Sequence, residues 1–254
     1  MKTLLFLCVG ACFLHLGVLQ SLYLTIKAPR DLQQQSSHNY VFISLEFNIA
    51  SLNSIAAELD RPGSSFQSTD GLTIFLNDDR SPRNKNMKVT AVDFNNPTEA
   101  KTKLNSYVTE KTSGKINNLF SGFTTSTDAV IVSYADAWKV PVSGGSKYTV
   151  QLTGEYNAMV NTELGFTMIE IPKNQNIKAL IIIPDNGREE KVGKAVTDEN
   201  LTQWRKSLTK QRVNLQVPRA TLFGCAAVIT EVNVQNGFES KTRKTVAKIS
   251  ASFP

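Results

Sequence analysis

The chain has 254 residues, of which 41% are hydrophobic and 20% charged, an ordinary globular balance that excludes disordered, fibrous and collagen-like classes. Its formal charge of +6 is moderate, and its local basic clusters are not interleaved with aromatic residues in a way that suggests a nucleic-acid partner. That length accommodates one large core.

Residues 1–20 differ in kind from the rest. Lys2 precedes the apolar run "TLLFLCVGACFLHLGVLQ", too short for a comfortable membrane span and suited to a secretory signal peptide. The protein is therefore expected in the extracellular space, with no membrane segment once the leader is removed. Removal takes Cys8 and Cys12 away and leaves Cys225 as the single cysteine. No intrachain disulfide is expected, so the core must hold the fold. Cys225 reads as a small buried apolar residue, with pairing between two chains as the alternative. Residues 21–37 read as a polar N-terminal segment and 38–254 as one domain.

Within that domain "YVFISL" reads as a strand. Ile49, Leu52, Ile55, Ala56 and Leu59 then recur at helical spacing until Pro62 and Gly63. Residues 77–88, "NDDRSPRNKNMK", are loop-like, and "KVTAVDF" reads as an edge strand. The next helix has an explicit start: Asn96 caps, Pro97 suits the first helical position, and Glu99 completes a capping box. Ala100, Leu104, Tyr107 and Val108 form its apolar stripe, while Lys101, Lys103, Glu110 and Lys111 face water. Gly114 ends it, and Ile116, Leu119 and Phe120 resume an apolar face.

"AVIVSYADAW", "KYTVQLTGEY", "GFTMIEIP" and "KALIIIPD" follow as strands. The last has no polar residue between Ala179 and Pro184, the pattern of a central strand covered on both faces. "DENLTQWRKSL" is a helix with Leu201, Trp204 and Leu208 on one side, and "VNLQVP", "AAVITEVNV" and "TVAKISASF" are further strands. Strands outnumber helices without strict βαβ alternation, which predicts an α+β fold of mostly antiparallel sheets.

Catalysis has little to work with, and no enzyme activity, cofactor or metal is expected. His38 is the only histidine beyond the leader and lies in a polar stretch. There is no G-x-S-x-G elbow, no metal-ligand spacing, and neither "SGKIN" nor "VGKAV" completes a phosphate loop. Asp78 with Asp79, and Glu189 with Glu190, read as solvated loop carboxylates. Asn200, in Asn200-Leu201-Thr202, is a candidate glycosylation site. Two basic clusters, Arg80, Arg83, Lys85 and Lys88, then Lys241, Arg243, Lys244 and Lys248, are candidate contacts for a glycosaminoglycan. The competing readings are a solvated loop for the first and a charge-protected strand edge for the second.

The stretch "LNSYVTEKTSGKINNLF" resembles the signature of the serpin superfamily, with Asn105, Tyr107, Val108, Thr112, Gly114, Lys115 and Ile116 in register. Further similarities keep the family's order. "SHNYVFISL" resembles the segment before helix B and "VIVSY" the central strand 3A. "ELGFTMIEIP" and "ALIIIPDNG" resemble the B-sheet hairpin, and "ENLTQWRKSL" with "VNLQVPRATLFG" resembles helix H and its following strand. The texture is that of the secreted antitrypsin-like branch, near corticosteroid-binding globulin.

The resemblance implies a serpin-like fold of sheets A and B with packed helices, in which the Asn96–Phe120 segment is helix F lying across sheet A. It implies serine proteases as partners: a reactive loop is cleaved and enters sheet A as an extra strand. "TVAKISASFP" resembles the start of strand 5A, so the chain is expected to be truncated before the hinge and reactive loop, and to lack counterparts of helix A and the helix C to D region. No reactive-site bond can be named, and inhibition is expected to be impaired. Leu45 stands where proline is usual, Phe47 and Ile49 where serines are, and Ser133 where asparagine is. The alternative is a non-inhibitory carrier of a small apolar hormone, with Leu201, Thr202, Trp204 and Arg205 near a cleft between helix H and sheet B; Trp204 also reads as plain core. An inactive truncated remnant is the third reading.

Overall fold

A computed structural model describes residues 20–27, 40–47, 71–77, 89–139, 144–145, 149–172 and 177–252. Of the signal-peptide reading at 1–20, all but Gln20 lies outside the described residues, as do His38, the helical pattern at 48–59 and the basic loop at 78–88.

Two sheets form the centre. The first joins β1 (Gln20–Lys27), β2 (Tyr40–Phe47), β9 (Ile177–Pro184), β8 (Phe166–Pro172), β7 (Thr149–Asn161) and β10 (Thr209–Pro218) in that order, with the short β6 (Gly144–Gly145) also pairing with β7. The second runs β12 (Phe238–Ser252), β11 (Thr221–Gln235), β5 (Thr127–Lys139), β3 (Leu72–Asn77), β4 (Val89–Val92). All pairings are antiparallel except β3 with β4. With helices α1 (Pro97–Lys111), α2 (Glu189–Ala195) and α3 (Asp198–Lys206), the fold is α+β as expected.

Strand alternation decides what packs where. On β9, Ile177, Ala179, Ile181 and Ile183 face inward and meet Val41, Ile43 and Leu45 of β2 together with Leu222, Ala226 and Ile249 of the other sheet. Leu180 and Ile182 point the opposite way, beneath Val192 of α2 and Leu201 and Trp204 of α3. β9 is therefore a central strand with both faces covered. On the five-stranded sheet, Val130 and Val132 of β5 and Cys225, Ala227 and Ile229 of β11 face Ala100, Leu104 and Val108 of α1. The layers run α1, sheet, sheet, α2 with α3. β11 turns into β12 through Asn236 and Gly237 at φ 52° and 79°, left-handed values that suit a two-residue hairpin.

Three elements depart from the sequence reading. β1 falls on the segment read as polar and lying outside the domain, yet it pairs with β2 from Gln20↔Phe47 to Lys27↔Tyr40; the alternation of Leu22, Leu24 and Ile26 is its signal. β3 has no counterpart in the sequence reading, although Leu72, Ile74, Phe75 and Leu76 are all buried. Glu189 and Glu190 are not loop carboxylates but the first turn of α2, where acidic side chains suit the helix dipole.

Candidate functional site

The Asn96–Phe120 segment is built as a self-fastened lid. Asn96 Oδ1 accepts from the Glu99 backbone N–H at 3.4 Å, and Asn96 Nδ2 donates to Glu99 Oε2 at 3.0 Å. The reciprocal bond of the capping box is thus made between side chains, while the Asn96 N–H bonds Asp93 O at 3.3 Å. The helix ends at Thr112, whose Oγ1 lies 2.7 Å from Val108 O and 3.2 Å from Ile116 O and accepts from Ile116 N–H at 3.1 Å. Ser113 and Gly114 follow at φ 52° and 75°, so the reversal uses glycine for its left-handed backbone. Asn105, inside the helix, is buried and bonds both backbone groups of Phe120. Lys115 is exposed and Ile116 buried.

Few polar bonds tie this lid to its sheet. Tyr107 OH and Thr73 Oγ1 form a short hydrogen bond, and the Tyr107 ring meets Phe75 and Tyr134 edge-on at 5.1 and 6.2 Å. Burial pushes the Tyr107 phenol up to about 12, against the pull of the Thr73 bond. Lys103 Nζ donates to Ala91 O of the edge strand β4 at 2.9 Å. Lys248 Nζ of β12 donates to Asn117 O and Asn118 O at 3.1 and 2.5 Å. Beneath, the Cys225 thiol is fully buried and pushed well above its ordinary range by desolvation. Outside, an open groove of about 710 Å³ runs along Lys101, Asn105, Thr109 and Ser113 to Asn117 and Asn118.

On the opposite side of the molecule, α3 begins at Thr197, whose Oγ1 accepts from Asn200 N–H at 3.2 Å. The four candidate cleft residues differ in burial. Leu201 and Trp204 are core, the indole lying 4.6 Å from the Phe166 ring centroid. Thr202 is exposed and its Oγ1 donates to Asp198 O at 2.7 Å, whereas Arg205 turns in to the sheet, its Nε donating to the buried Glu46 Oε1 at 2.8 Å. Asn200, the candidate glycan carrier, donates through Nδ2 to Ala195 O at 2.8 Å. In the second basic cluster, Lys241 and Lys244 face Asp128 and Glu231 at 3.4 and 2.8 Å, Lys248 is engaged as above, and Arg243 is exposed.

Among the described residues no group of three His, Cys, Asp or Glu side chains is arranged to hold a metal ion, and no helix is long and apolar enough to cross a membrane.

A family model described as Serpin (serine protease inhibitor) matches residues 77–136 and 144–249. The chain belongs to the serpin family. It is 29% identical over 194 residues to serpin A3-3 of Bos taurus, covering 65% of this chain and 47% of that one. Thyroxine-binding globulin of Ovis aries is 28% identical over 173 residues, covering 59% and 42%. The matches span less than half the length of these two relatives. A crystal structure of thyroxine-binding globulin aligns at 18% identity and a TM-score of 0.38, covering 81% of this chain and 79% of that one.

Within the serpin family this chain's signature residues have local structural duties: Asn105 ties helix to turn, Thr112 and Gly114 close the helix end, and Ile116 plugs the core. Sequence reasoning missed Glu46 of β2, the partner of Arg205. Its signal was a carboxylate inside an otherwise apolar strand, "YVFISLEF", but the partner stands 159 residues away.

Proposed function

We propose that this is a secreted serpin-family protein whose inherited activity is inhibition of serine-type endopeptidases, impaired in this chain. The observation that carries the reading is the pairing of β5. It is bonded to β3 from Leu72↔Ser133 to Leu76↔Ala129, and to β11 from Thr221↔Lys139 to Glu231↔Thr127. Inhibition by insertion requires a strand to enter the sheet beneath α1, and here an entering strand must first displace β3 or β11. Incubation with trypsin-like and elastase-like serine proteases is expected to give cleaved chain and no SDS-stable complex. A stable complex would overturn the impairment.

The likeness to thyroxine-binding globulin supports a second reading, a carrier of a small apolar hormone seated near Leu201, Thr202, Trp204 and Arg205. Saturable quenching of tryptophan fluorescence by thyroxine or cortisol is its test. Rapid proteolysis without complex or quenching supports an inactive remnant. Two subsidiary proposals accompany these readings: a glycan at Asn200, tested by a mass shift with peptide N-glycosidase, and glycosaminoglycan contact through Arg243 and its neighbours, tested by retention on immobilised heparin.

A further inference from the structure

Strand β2 turns Phe42, Ser44 and Glu46 toward the face covered by α2 and α3. Glu46 is fully buried at 0% exposure. Only one of its oxygens is satisfied: Oε1 accepts from both Nε and Nη2 of Arg205, while Oε2 has no hydrogen-bond partner. Lys178 Nζ of β9 lies 4.0 Å from Oε2, beyond hydrogen-bond reach, and that ammonium gives its shorter contact, 2.5 Å, to Glu170 Oε2 of β8. Glu170 is held in turn by Asn157 Nδ2 of β7 at 3.2 Å. Among the described residues, the charged groups facing Glu46 are Arg205 from α3, Lys178 from β9 and Glu170 from β8; Ser21 of β1 stands opposite it in register, and Ser44 Oγ, two residues back, is also buried without a partner.

A buried carboxylate with a bare oxygen is costly, because water has been removed and nothing replaces it there. A proton on Oε2 removes the buried charge, which is the larger part of that cost, and leaves Oε1 as a neutral acceptor. We propose that Glu46 is a proton-operated latch for α3: ionised, it holds the Arg205 guanidinium against the sheet, and protonated, it stays buried and loosens that hold, while Arg205 Nη1 keeps its bond to Thr202 Oγ1. Burial raises the carboxyl above the ordinary glutamate range, opposed by the Arg205 bond and charge and by Lys178, and reinforced by Glu170.

The linkage sign separates a latch from acid denaturation. A carboxyl raised in the folded state contributes stability that is fully present below its unfolded value and is lost as pH rises through the folded one. Acidification therefore loosens Arg205 from Glu46 without unfolding the protein through this group. The consequence is a guanidinium released from the sheet beside Thr202 on the outward face of α3. This inference stands whether or not the protein meets proteases or hormones.

The test is a pH titration of the full chain carrying 5-fluorotryptophan, with the Trp204 resonance identified by W138F. The expected result is a one-proton step in the Trp204 shift with its midpoint above the ordinary glutamate range. E46Q should remove the step and hold the acid-form shift at every pH. E170Q should move the midpoint down, since it removes a neighbouring negative charge, and this variant decides the matter if E46Q does not fold. A pH-independent Trp204 signal in the wild type, a step that survives E46Q, or a midpoint unmoved by E170Q would overturn the proposal.

Discussion

Asn105 holds Phe120 by both backbone groups: its Nδ2 donates to Phe120 O at 2.9 Å and its Oδ1 accepts from Phe120 N–H at 3.0 Å. A carboxamide carries a donor and an acceptor side by side on separate atoms, which matches the N–H and C=O of one residue. Asn105→Ala should strand two buried backbone groups and cost about 2–4 kcal/mol. Urea denaturation should show a lower midpoint at unchanged slope. Asn105→Asp keeps the acceptor, loses the donor and buries a charge, so it should rescue little. A wild-type midpoint in Asn105→Ala would remove the basis for this assignment.

The Tyr107 phenol, half-buried and bonded to Thr73, titrates at about 12, above the roughly 10 of an unfolded tyrosine. Its contribution to stability is fully present below about 10 and is lost as pH rises through about 12. Tyr107→Phe should lose about 1 kcal/mol at neutral pH through the missing hydrogen bond, and should show a flatter decline on the alkaline side. Thermal melts from pH 8 upward measure both, and parallel curves for the two proteins would contradict the assignment.

Cys225 is a chemical reporter of the α1 layer. Buried, with its thiol pushed up, it should resist thiol reagents in the native state and react only as fast as the layer opens. Leu104→Ala removes a fully buried side chain from the same cluster, should cost about 2–5 kcal/mol, and should accelerate labelling. Native labelling at the rate of a free thiol would contradict the packing.

Asn96→Ala should cost about 1 kcal/mol, because it removes both the acceptor for Glu99 N–H and the donor to Glu99 Oε2. Hydrogen exchange should quicken in the first turn of α1 and leave the last turn unchanged. Uniform acceleration along the helix would show that the cap does more than hold its end.

Where a signal was local, it was legible. Asn96, Pro97, Glu99 and Gly114 mark the limits of α1 in the sequence as they do in space, and the unbroken run ending at Pro184 marks β9. β3 escaped because Leu72, Ile74, Phe75 and Leu76 mix alternation with a consecutive apolar pair. α2 escaped because it is seven residues long, its N-cap Arg188 makes no side-chain bond, and Val192 is its one buried residue. Its Gly193 makes sense only once Phe42 is seen, since a Cβ there would lie 3.0 Å from the ring. Asn105 was matched as part of a motif, but its polarity concealed its burial, and Glu46 could not be paired before β2 and α3 were brought together.

The polar bonds within Asn96–Phe120 join residues at most 15 apart in sequence, while Tyr107, Lys103 and the Asn117–Asn118 pair bond to the sheet. Such a piece is fastened in large part to itself, and its hold on the sheet is mainly the apolar contact of Ala100, Leu104, Val108, Ile116 and Phe120 with β5 and β11.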